Sequence, residues 1–158
     1  MQIDADGLTL PYREALRALG WQLDRERLAG LRLDMRGEDL VIEAYPVARP
    51  GHVERARLAP AGVLALWNDE RWLRYRPGAG HRPTPHPSGL GYREALRVLG
   101  QEMDRRGARL VRVIEHADGL IVQRLPAEAS DAPLATELLR WETLQAQRER
   151  AIQRRSTG

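Results

Sequence analysis

One segment of this chain occurs twice, eighty positions apart, and this repeat constrains the fold more than any other feature. Tyr12-Arg-Glu-Ala-Leu-Arg-Ala-Leu-Gly20 returns as Tyr92-Arg-Glu-Ala-Leu-Arg-Val-Leu-Gly100, and Asp24-Arg25 returns as Asp104-Arg105. The register runs without a gap to Leu40-Val-Ile42 against Leu120-Ile-Val122, and on to Pro46 against Pro126. A unit of this size needs its sister to bury an apolar face. The expected organisation is a first repeat with a following helix over 1–76, a Pro/Gly-rich linker over 77–87, and a second repeat with a carboxy-terminal helix and basic tail over 88–158. The two repeats are expected to share one core.

Each copy opens with an amphipathic helix. Tyr12, Ala15, Leu16, Leu19 and Leu23 fall on one helical face, and Tyr92, Ala95, Leu96, Leu99 and Met103 repeat the stripe. Thr9 and Ser88 read as N-caps, with Pro11 in a first turn. Gly20 and Gly100 lie inside these helices, where glycine costs about 1 kcal/mol relative to alanine. Their presence in both copies predicts a close backbone approach between the two helices or onto the sheet. No glycine-rich loop precedes either helix, so a phosphate cradle is not the reason for them.

Two strands follow in each copy. Leu31, Leu33 and Met35 alternate with charged residues, Val111 and Val113 take the same places, and the return strands cover 40–45 and 120–125. Asp118-Gly119 is a hairpin signal; copy one has Gly37-Glu-Asp39 instead. Copy one then continues through 52–58 as a third strand and a helix over 61–67, with 72–76 readable as helix or strand. Copy two passes through a loop, with Asp131 as N-cap, into a helix from Pro133 to about Ile152. The predicted fold is therefore α+β: two tandem helix–strand–strand repeats forming a mostly antiparallel four-stranded sheet covered by helices, plus a carboxy-terminal helix. The linker has four prolines and two glycines in eleven residues, too many for a helix or a central strand.

Composition narrows the functional classes. The chain has no cysteine, which excludes disulfides, thiolate metal sites and cysteine nucleophiles. No stretch has the length of apolar sequence that a membrane span needs, and the acidic start lacks the pattern of a signal peptide, so a cytoplasmic location is expected. All the basic side chains are arginine; 25 of them face 22 acidic residues, giving a net charge of +3. An excess this small favours an acidic partner only if the arginines cluster.

Two clusters stand out. Arg13 and Arg17 lie four apart on one helix face, as do Arg93 and Arg97, a spacing that costs a few tenths of a kcal/mol in an isolated helix. One reading is an anion or phosphate site presented twice about a pseudo-twofold axis. The other is neutralisation by Glu14 and Glu94, at i, i+3 or across the repeat interface, and it is the favoured one. Arg71, Trp72, Arg74, Tyr75 and Arg76, with Trp67, form the densest basic–aromatic stretch, a composition that stacks bases and holds phosphates; Trp67 and Trp72 also read as core or interface residues.

The four histidines, His52, His81, His86 and His116, lack metal-site spacing and read as surface residues. Asp4-Ala-Asp6-Gly7 fails the spacing of a calcium loop. No acid–base pair is legible and no cofactor is implied. The element order of copy one resembles that of double-stranded-RNA-binding domains in topology, without that family's basic Gly-Lys-Lys helix start. The reading that follows is a small non-enzymatic binding module for an acidic partner, with nucleic acid, DNA or RNA, the leading candidate. Its alternative is a structural or adaptor protein that contacts another protein, or itself, through the carboxy-terminal helix.

Overall fold

The computed structural model describes residues 10–35, 39–74, 88–107, 111–126 and 132–157. In chain order these form α1 (Tyr12–Leu23), β1 (Leu28–Asp34), β2 (Leu40–Pro46), β3 (Glu54–Leu58), α2 (Pro60–Arg74), α3 (Tyr92–Arg106), β4 (Val111–His116), β5 (Gly119–Arg124), β6 (Ala135–Arg140) and α4 (Trp141–Thr157). The protein is α+β, with one six-stranded sheet in the order β3-β2-β1-β4-β5-β6, antiparallel throughout. The expectation of four strands is corrected: each half contributes three, in the order helix, three strands, helix.

The missed strand is β6. Leu134, Leu138 and Trp141 have helical spacing, which favours a helix from residue 133. In the fold Ala135–Arg140 instead pairs with β5 along its full length, Leu120 against Leu139 and Arg124 against Ala135, and the helix begins only at Trp141. Pairing the open edge of β5 outweighs the local pattern, because unpaired strand groups would otherwise face solvent. In copy one, α2 absorbs the undecided stretch as far as Arg74.

Alternation along the strands sets two sheet faces. Leu31, Leu33, Leu40, Ile42, Val113 and Leu120 point to the buried side, where Leu16 and Leu19 of α1 and Leu96 and Leu99 of α3 join them in one core. Burying each such side chain is worth about 1.5–3 kcal/mol. The helical layer runs α2, α1, α3, α4. α2 touches the edge strand β3 and α4 the opposite edge strand β6, while α1 and α3 make the closest contact of all the elements.

That central contact rests on the two glycines. A Cβ on Gly20 would lie 2.5 Å from the Arg93 Cα and from the Tyr92 carbonyl oxygen; one on Gly100 would lie 2.6 Å from the Tyr12 carbonyl oxygen and 2.7 Å from the Arg13 Cα. Each glycine faces the first turn of the other helix. The same crossing brings in the repeated aspartates. The Tyr92 and Arg93 amides donate to Asp24 at 2.8 and 3.1 Å, and the Tyr12 and Arg13 amides donate to Asp104 at 2.9 and 3.1 Å. The residues that open the helices, Pro11 and Gly91, cap nothing with their side chains. Each helix is instead capped by the aspartate at the end of its sister, which satisfies orphan amide donors and complements the helix dipole.

The predicted caps do not act as expected. Ser88 exchanges hydrogen bonds with the Leu90 backbone, two residues before α3 begins, and Pro11 stands at the N-cap position. Thr9, Asp131, the 37–38 turn and the 77–87 linker lie outside the described residues. The β4–β5 turn is Ala117-Asp118, and Gly119 already belongs to β5. Glycine is needed there because a Cβ would come 2.0 Å from the Leu139 carbonyl oxygen of β6.

Two stability outcomes are expected. Gly20→Ala or Gly100→Ala should lose about 1–3 kcal/mol through overpacking, against the gain of about 1 kcal/mol such a change brings in an open helix. A raised urea midpoint for either variant would contradict the close contact. Removing a cap costs about 0.5–2 kcal/mol. Asp24→Ala should fall at or above the top of that range and Asp104→Ala lower, because Asp24 is buried and Asp104 exposed. Equal losses in denaturant unfolding would contradict this.

Candidate functional site

Arg17 and Arg93 meet at the α1–α3 crossing and Arg97 shares Glu94 with Arg93, and the two halves differ in how these arginines are held. In the first half the focus is Glu70 of α2, with a fully buried side chain. Its Oε1 accepts from the Arg93 guanidinium at 3.0 and 3.2 Å and lies 3.4 Å from Nε of Arg17. Arg17 also donates to Glu14, and Glu14 accepts the Trp67 indole N–H at 3.1 Å. Two guanidiniums thus meet two carboxylates, as a buried charge requires.

In the second half Glu94 does most of the pairing. Its oxygens lie 3.3 Å from Arg97, 3.3 Å from Arg93 and 3.7 Å from Arg148 of α4. Among the described residues the Arg13 guanidinium has only a 3.8 Å contact with its neighbour Glu14. Nε of Arg148 is buried without a hydrogen-bond partner.

The sequence-predicted residues therefore separate. The side chains of Arg17 and Arg97 are only 8% and 9% exposed, Arg93 is half-buried, and Arg13, at 47%, is the most open of the four. Both i, i+3 pairs, Arg17–Glu14 and Arg97–Glu94, are formed. Arg71 stacks over the Trp67 ring at 5.3 Å, and Trp72 is 67% exposed. These two sit on α2, on the opposite flank of the helical layer from α4, so the basic–aromatic stretch and the basic α4 do not form one patch. The side chain of Arg74, and all of Tyr75 and Arg76, lie outside the described residues.

Sequence reasoning missed Glu70, Arg148 and the capping aspartates. Glu70 continues the inward stripe Val63, Trp67, and Arg148 continues Trp141, Leu144. A charged residue on an apolar stripe was the available signal. The aspartates were visible as a repeat, but capping across 80 residues leaves no local pattern.

Other polar groups have structural partners. The Tyr92 hydroxyl donates to Glu115 at 2.7 Å, and burial together with the Glu115 charge holds its pKa well above the usual phenol range. Hydrogen bonds from Arg105 and then Arg106 keep the Glu102 carboxyl below the usual carboxylate range, and Arg106 also pairs with Glu137. A cleft of about 750 Å³ opens between the start of β1, the β4–β5 turn and the start of α4, lined by Leu28, Glu115, His116, Trp141, Glu142 and Gln145 among others. Nδ1 of His116 accepts the Asp118 amide at 3.1 Å, and the Trp141 indole donates to the Ala117 carbonyl at 2.9 Å. None of the sequence-predicted arginines lines this cleft. Among the described residues no group of three or more His, Asp or Glu side chains is placed to hold a metal ion, and no helix is long and apolar enough to cross a membrane. Comparison with protein-family models, curated proteins and solved structures finds no significant match.

The Glu70 cluster yields a clear expectation. Glu70→Ala leaves Arg17 and Arg93 without their shared buried carboxylate, and breaking such a pair costs about 3–5 kcal/mol. A loss below 1 kcal/mol in chemical denaturation would mean that water replaces the carboxylate.

Proposed function

We propose that the protein is a small non-enzymatic binding module for an acidic partner, with nucleic acid the favoured partner. The observation that carries this reading is the distribution of charge over the helical layer. At the end of α3, Arg105 and Arg106 are held by Glu102 and Glu137. α4 has four arginines, Arg148, Arg150, Arg154 and Arg155, against Glu142 and Glu149. Arg150 and Arg154 are exposed, and no ion pair to either is recorded among the described residues. A two-charge excess on one exposed helix, in a chain whose net charge is +3, is the clustering that a polyanion partner favours.

The proposed surface is the exposed side of α4, and it includes Arg13 in the first turn of α1. It retains Arg71 and the exposed Trp72 on the other flank as a separate contact for a single-stranded base, with Arg74, Tyr75 and Arg76 as the continuation of that stretch. Arg17 and Arg93, tied to Glu70, act from below, shaping the surface more than touching the partner.

A second reading, self-association or protein adaptor, has its own support: Leu134, just before β6, and Ile152 of α4 are large apolar side chains exposed on the same flank.

Titration with labelled single- and double-stranded DNA and RNA at low salt separates the two. Each phosphate contact adds about 0.9 to the logarithmic salt slope on duplex DNA and about 0.7 on single strands. Changing both Arg150 and Arg154 to alanine should therefore lower the slope by about 1.8 on duplex DNA and about 1.4 on single strands without changing the thermal midpoint. Absence of binding at micromolar protein, with a solution mass above that of the monomer, would overturn the nucleic-acid reading and favour self-association.

A further inference from the structure

The two halves correspond closely enough to show what one has and the other lacks. Helices α1 and α3 match at an offset of 80, and the outer elements match at 81. Leu40 pairs with Leu58 as Leu120 pairs with Leu139, and Ala44 with Glu54 as Arg124 with Ala135. α2 starts at Pro60 and α4 at Trp141. Val63 and Leu144 are both fully buried. The Trp67 indole reaches Glu14 at 3.1 Å, and the Arg148 guanidinium lies 3.7 Å from Glu94. By the same offset the counterpart of Glu70 is Ala151.

The arginines that Glu70 joins have counterparts too. Arg17 lies three residues before Gly20, and Arg93 sits against that glycine; Arg97 lies three residues before Gly100, and Arg13 sits against it. In the first half a carboxylate closes the pair. The second half has alanine at the corresponding position in the 81-residue offset, and Arg148 brings a guanidinium where the first half has a neutral tryptophan. Glu94 is the carboxylate beside Arg97 and Arg148, and it is shared with Arg93, while Arg13 lies 3.8 Å from Glu14. α4 also packs less closely on α3 than α2 does on α1.

We propose that Arg13, Arg97 and Arg148, over Ala151, form an oxyanion seat that takes one phosphate group of the acidic partner, in the place Glu70 fills internally in the other half. The seat rests on the binding-module reading and specifies where the polymer is gripped. Arg97 is nearly buried and held by Glu94, so it is preorganised. Arg13 is half exposed and lies at the rim, and Arg148 leads to Arg150 and Arg154 along the same helix. A guanidinium presents paired donors that match a phosphate. Neighbouring cations along α4 favour one phosphate of a chain over an isolated ion.

The test installs the missing carboxylate. Ala151→Glu should close the seat from within, while Arg13→Ala removes its exposed rim residue and keeps the test valid if the glutamate variant fails to fold. The probes are the labelled oligonucleotide and inorganic phosphate, read by affinity and by thermal midpoint. A lost charge-assisted contact weakens binding by about tenfold or more, so each variant should lose about that much oligonucleotide affinity. Phosphate should raise the midpoint of the unaltered protein and not that of Ala151→Glu. If the oligonucleotide binds and neither variant changes its affinity, the seat is overturned while the binding module stands. If no nucleic acid binds but phosphate stabilises the unaltered protein alone, the seat stands and the nucleic-acid reading falls. If neither probe responds, both are overturned.

Discussion

The structure depends on the crossing of α1 and α3, where each helix buries a glycine against the first turn of the other and each ends in an aspartate that caps its sister. The two features work together. The glycines allow a backbone separation at which the aspartate oxygens reach two amides each at 2.8–3.1 Å. A larger residue at Gly20 or Gly100 would push the helix starts away from their caps, so packing and capping are coupled. The Tyr92 and Arg93 amides would otherwise be orphan donors in a buried setting, where leaving one unpaired costs about 1–3 kcal/mol. The exposed Tyr12 and Arg13 amides have water as an alternative partner. Neither half can satisfy this requirement alone, so the cap of each helix depends on the presence of the other.

The same crossing fixes the electrostatics. Gly20 sets the Arg93 backbone against α1, and Gly100 sets Arg13 against α3, which brings an arginine from one helix beside an arginine of the other. Like charges at that separation need an anion between them. In the first half α2 supplies it from within the chain as Glu70. The repulsive arginine spacing that is costly in an isolated helix becomes the means of holding three helices together.

How far the sequence reveals this depends on the range of each interaction. The apolar stripes of α1 and α3, the alternation in β1, β2 and β4, and the close approach of Gly20 and Gly100 follow from residues within one or two turns. β6 is different: Leu134, Leu138 and Trp141 have helical spacing, and only the unpaired edge of β5 makes strand pairing the better outcome. The Gly119 requirement is also non-local, since the backbone that crowds it belongs to β6. At the site, the i, i+3 pairs of Arg17 with Glu14 and Arg97 with Glu94 follow from spacing, but Glu70 reaches Arg93 across 23 residues and two helices. The accessibility of each arginine was not legible either, because it is set by which outer helix lies above it.

The second half holds its arginines differently from the first. If the repeated arginines served only to bind the layers, position 151 would favour a carboxylate, since the sister site shows that the geometry accommodates one. Instead Arg97 is nearly buried, Arg148 adds charge, and Glu94 is shared among Arg93, Arg97 and Arg148. Removing cations from water without full compensation costs several kcal/mol per ion in the limit of complete burial, and solvent at Arg13 and Arg148 reduces that cost without abolishing it. The first half offsets this cost with Glu70 and Glu14, and the second with Glu94 and with solvent at Arg13 and Arg148. The repeated helix provides a common platform, and the outer helix determines whether its arginines are tied to Glu70 of α2 or share Glu94 with Arg148 of α4.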